Sequence, residues 1–196
     1  IFSVGTYVNI EESIRFVIHS NDVDDYGRNV LLYNFLHLTP YFSERLLHVV
    51  KTAIEDNGFK RKEPLLPEAL KSLTSDEMIF WEKYTHDFRF RENFLEDAFN
   101  RVPDRTAWQN AFDILPKVQD ILSYIILIHG KNDNVIPASE SLALYKQLIA
   151  YNKPAYLCIS PVLDHGDVQK NLTAYLDFFK ILKAFSIFFR LAGNNQ

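Results

Sequence analysis

Apolar residues recur along this chain in two different rhythms. Between about residues 10 and 110 they keep helical spacing. Ile10, Ile14, Val17 and Ile18 return every three or four positions, and Glu11 and Glu12 precede them where a helix N-terminus favours acids. The loop NDVDDYG follows, then RNVLLYNFLHL, a buried helix ending near Pro40. In YFSERLLHVVKTAIEDNG the repeat falls on Leu46, Val49, Val50 and Ala53 and stops at Gly58. A charged, proline-broken connector, FKRKEPLLPEALKSL, leads into a short helix. Thr74 and Glu77 in TSDE form a capping box, which predicts one long helical stretch to about Asn100. Pro103 and Asp104 end it, and RTAWQNAF gives a further short helix.

From Pro116 the pattern changes. YIILIHG is a continuous apolar run closed by Gly130, as expected of a strand covered on both faces. ASESLALYKQLIA is an amphipathic helix, and AYLCIS is a second buried strand. The last segment predicts a long helix with Leu172, Tyr175, Phe179, Leu182, Phe185 and Phe189 on one stripe. Phe178, Ile181 and Phe188 lie off that stripe, more apolar surface than one exposed helix face needs. IFSVG at the start is a short strand closed by Gly5. Strand, helix, strand, helix is the grammar of a parallel sheet. The expected fold class is α/β, with residues 1–20 and 111–196 forming the sheet core and residues 21–110 an inserted helical cap lobe.

Composition narrows the partners. A net charge of -4 without long runs of one sign gives no basic footprint for nucleic acid. The single cysteine, Cys158, rules out an intramolecular disulfide. No apolar run approaches the roughly 20 residues that span a bilayer. The first residues carry no signal-peptide pattern, which favours the cytoplasm. His19, His37, His48 and His86 fit no standard metal spacing, and no cofactor is implied.

Ligands of an open parallel sheet bind outside the carboxyl ends of its strands. Asp133 falls just beyond one such end, and His165 just beyond the next. An acid that orients a histidine, and a histidine that takes a proton from a nucleophile, need this arrangement. A turn aspartate and a solvated loop histidine would occupy the same positions.

HGKNDNVIP and VLDHGD resemble the acid and histidine loops of the α/β-hydrolases, with DNVIPASESLALYKQL leading into the next helix. FSVGTYVNIEESIRF and YGRNVLLYNFL are similar to the strand after the nucleophile helix and the opening of the helical cap. The resemblance implies the last strands of the hydrolase sheet, with Asp133 and His165 as two catalytic triad members. The family's Gly-x-Ser-x-Gly elbow does not occur. The nearest match centres on Ser3, with Ile1 where the first glycine belongs. The segments that supply oxyanion amides are absent too.

The expectation is therefore the C-terminal portion of an esterase-like serine hydrolase, acting on a small-molecule ester when complete and inactive by itself. Self-association or a missing N-terminal half would cover its apolar surface. The alternative is a non-catalytic remnant or interaction module on the hydrolase scaffold. A third reading is a member with an aspartate nucleophile, opening epoxides or removing halides.

Overall fold

In the structure, a computed structural model, residues 1–19, 25–163 and 172–193 are described. They form a mixed α/β chain with a three-stranded parallel sheet in the order β1-β2-β3. The strands are β1 (Phe2–Val4), β2 (Ile125–Gly130) and β3 (Ala155–Ser160). Phe2 pairs with Ile126 and Val4 with Ile128, while Ile125 pairs with Ala155 and Gly130 with Ser160.

The apolar run in β2 has a direct cause. Its six residues are all buried, because the strand is paired on both sides and covered on both faces. Successive side chains alternate between the faces. Ile125 and Leu127 join Leu144 and Leu148 of helix α8 (Ala138–Ala150), with Val8 and Val118. Ile126 and Ile128 join Cys158 and, from helix α9 (Leu172–Gly193), Ile181 and Ala184. β3 is less enclosed than its sequence predicts, since only Cys158 and Ser160 in it are buried.

From Phe179 onward, the stripe predicted for α9 is the exposed side of the helix. Ile181 and Ala184 are buried, and Ile187 and Phe188 pack on the same cluster. Phe179, Leu182, Phe185 and Phe189 are exposed, Phe179 by 64% and Phe189 by 66%. The helix is apolar on more than one side, so periodicity alone could not choose the buried one.

The chain divides into two compact units, residues 1–13 with 109–196, and residues 14–108. The second is all helical among its described residues. It contains α2 (Asp25–Phe35), α3 (Glu44–Gly58), α4 (Leu66–Leu70), α5 (Ser75–His86) and α6 (Phe88–Asn100), together with the greater part of α1 (Ile10–His19) and the start of α7 (Arg105–Phe112). The long helix predicted to Asn100 is two helices. Asp87 ends α5 and caps α6, its backbone N–H donating to Lys83 O at 2.8 Å and its side chain accepting from Phe90 N at 3.1 Å. The capping box of α5 is present in full.

The aromatic residues of this unit pack mainly on one another. Phe80 lies 5.5 Å from Phe90 and 5.9 Å from Phe94, and Tyr84 lies 5.3 Å from Phe94, ring centre to ring centre. Phe80, Trp81 and Tyr84 are buried, while Phe88 is exposed. The buried Tyr84 hydroxyl donates to Arg28 O at 2.8 Å, and burial raises its pKa.

Candidate functional site

The carboxyl ends of the three strands are tied to one another. Gly5 N–H donates to Ile128 O, and Lys131 N–H donates to Ser160 O, each at 3.0 Å. Gly5 has φ +62°, the left-handed region that glycine tolerates best, and this lets the chain turn off the end of β1. A Cβ there would sit 3.9 Å from Asp133 Oδ2, so the end of β1 passes alongside the Asp133 loop.

Asp133 stands in that loop, three residues past Gly130, between β2 and α8. Its Oδ1 accepts from Val135 N and Ile136 N at 2.9 Å each. Those bonds fold the loop around the carboxylate, a role short acidic side chains commonly take in turns. Its Oδ2 lies 3.7 Å from His129 Nε2, beyond hydrogen-bond distance, and the side chain is 15% exposed. One oxygen thus shapes the loop, while the other lies toward His129 and the end of β1.

His165 lies outside the described residues, as do Asp164 and Asp167. The chain leading to them leaves β3 by a short 3-10 turn at Pro161–Leu163, with Val162 N–H donating to Ser160 Oγ at 3.2 Å. This departure point is the same sheet edge as Asp133. Ser3 sits inside β1, opposite Leu127, and its hydroxyl is 2.5 Å from Thr6 Oγ1. A serine within a strand lacks the strained strand-to-helix turn that exposes an elbow nucleophile.

His129 is the residue the sequence did not single out. It follows Ile125 and Leu127 on the α8 face of β2 and is fully buried. Its Nδ1 is 2.6 Å from Ser141 Oγ, and its Nε2 is 2.9 Å from Ile136 O. Ser141, in the first turns of α8, is also fully buried. Serine, histidine and aspartate thus stand together, but no substrate can reach a hydroxyl closed off from solvent. The available signal was a histidine at the inward end of an otherwise apolar row.

A cavity of about 390 Å³ opens at the other end of the sheet, where Ile1, Tyr124, Ile126, Phe188 and Leu191 line it. It is apolar and remote from Asp133. Among the described residues, no group of three or more metal-ligating side chains occurs. No helix there is long and apolar enough to cross a membrane. Comparison of the chain with protein-family models, curated proteins and solved structures finds no match.

Proposed function

We propose that this chain carries the acid and the histidine of a serine-type α/β-hydrolase acting on small-molecule esters. The supporting observation is the place of Asp133. It lies just past the carboxyl end of the central parallel strand, with one oxygen anchored by loop amides and the other at the sheet edge from which the His165 segment departs. In this reading His165 acts as general base and then acid. Asp133 holds its tautomer and stabilises the imidazolium. The nucleophile and the oxyanion donors come from outside these residues, since acyl transfer needs both.

The test uses the polypeptide encoded by the intact gene. Nitrophenyl-ester turnover is expected to fall by about 10³–10⁴-fold in kcat for His165→Ala and for Asp133→Asn, with fluorophosphonate labelling weakened in parallel. Undiminished turnover in both variants would overturn the assignment. The 196-residue chain by itself is expected to show neither turnover nor labelling. Labelling that disappears in Ser3→Ala would make Ser3 the nucleophile instead. The exposed aromatic face of α9 favours a second reading, an interaction module on the same scaffold, in which the gene product has no ester turnover.

A further inference from the structure

The buried histidine and the loop carboxylate meet at one residue. Ile136 donates its N–H to Asp133 Oδ1 and offers its C=O to His129 Nε2, both at 2.9 Å. A carbonyl only accepts, so Nε2 must carry the hydrogen. In the neutral ring Nδ1 then accepts from the Ser141 hydroxyl at 2.6 Å. We propose that His129 and Ser141 act as positioning residues for Asp133, latching the Ile136 peptide so that its amide fixes the carboxylate at the sheet edge. The proposal rests on the reading of Asp133 as the catalytic acid.

Three features support a built latch. The histidine occupies a place that Ile125 and Leu127 make apolar on the same face, and both of its ring nitrogens are satisfied there. Its two partners come from different pieces of chain, the loop that carries Asp133 and the helix that follows it. Finally, Asp133 has no contact with α8 among its hydrogen bonds to the loop, so the ring links the carboxylate's loop to a rigid element. A small displacement of a catalytic group lowers rate far more than it lowers binding when the group acts mainly in the transition state.

The test compares His129→Leu with His129→Gln in the gene-encoded protein. Leucine removes both polar partners, whereas the glutamine carboxamide retains one donor and one acceptor. For His129→Leu, kcat on nitrophenyl esters is expected to drop about 100-fold with KM nearly unchanged, and His129→Gln is expected to restore most of it. The same substitution in an Asp133→Asn background should add little further loss, because both act through one carboxylate. Amide NMR gives a readout independent of turnover. The Val135 and Ile136 signals should move in His129→Leu toward their positions in Asp133→Ala, which lacks their acceptor, and stay in place in His129→Gln. Ser141→Ala, a smaller change, should shift the same two amides and carries the test if the leucine variant does not fold. Unmoved amides in a folded His129→Leu protein, or additive losses in the double variant, would overturn the proposal. Absence of ester turnover in the unsubstituted protein would instead sink the hydrolase reading, leaving the amide shifts to decide whether the latch exists.

Discussion

Two carboxylates, Asp133 and Glu77, each organise the backbone around them, and each leads to a prediction. Asp133 Oδ1 satisfies two loop amides. Asp133→Ala leaves both without that acceptor and is expected to cost about 1–3 kcal/mol, read as a lower urea midpoint. Asp133→Asn keeps an acceptor oxygen and is expected to cost much less. Glu77 accepts from the Ser43 hydroxyl at 2.6 Å and from Thr74 N at 2.7 Å, and Arg45 lies beside it. The Ser43 bond, then the Thr74 and Arg45 contacts, outweigh burial and hold its pKa down at about 2, from an ordinary 4.5. A carboxylate whose folded pKa is depressed adds stability above its unfolded pKa and loses it as the pH falls toward the folded value. Thermal melts between pH 5 and pH 2, the interval set by those two values, should therefore decline more steeply for the parent protein than for Glu77→Gln. The Thr74–Glu77 box was legible because its chemistry is local in sequence. The His129 contacts were not, because Ser141 and Ile136 reach the ring only after the loop has folded back.

At the scale of elements, the errors of sequence reading have identifiable causes. The break between α5 and α6 contains no proline or glycine, so helical propensity runs through it unchecked. Asp87 makes the break by capping the second helix. The end of the first helix is satisfied from elsewhere, since the Arg91 guanidinium donates to Tyr84 O at 3.0 Å and Thr85 O at 2.9 Å. Asp87→Ala is expected to cost about 1 kcal/mol in an equilibrium melt, the usual loss of an N-cap. In α9 the apolar residues outnumber those one face can bury, and the sheet selects Ile181 and Ala184 rather than the Phe179 stripe. Ile181→Ala should destabilise by about 2–5 kcal/mol, whereas Phe179→Ala and Phe189→Ala should each change stability by less than about 0.5 kcal/mol. Larger losses for Phe179→Ala and Phe189→Ala than for Ile181→Ala would mean the opposite face packs on the sheet.

For the molecule as a whole, the mixed α/β class and the parallel sheet were readable because the rhythm of apolar residues changes abruptly at Pro116. Asp133 was readable as a strand-end acid for the same reason. The open side of the sheet has a physical consequence. Ile1 C=O and Gly5 N–H address β2, so the backbone groups of Phe2 and Val4 face away from it. Beside that edge, Phe185 of α9 stands 5.0 Å from Phe2, and both Phe185 and Val4 are exposed. An open strand edge next to apolar surface favours association. Light scattering of the 196-residue chain at micromolar concentration is expected to show species larger than a monomer, and Phe179→Ser with Phe189→Ser is expected to reduce them. A clean monomer that binds no hydrophobic dye would contradict this.

The order of the strands also sets a timetable for folding. The central strand β2 finds β3 after one helix, but its other neighbour, β1, lies about 120 positions earlier. On a ribosome adding about 5–20 residues per second, Phe2–Val4 would wait roughly 6–24 s for the strand it pairs with. During that time the helices of residues 14–108 are made first, while β1 waits for β2. The growing chain therefore passes through a period in which β1 exists without β2, and a chaperone that holds extended apolar segments would act there rather than on the finished sheet.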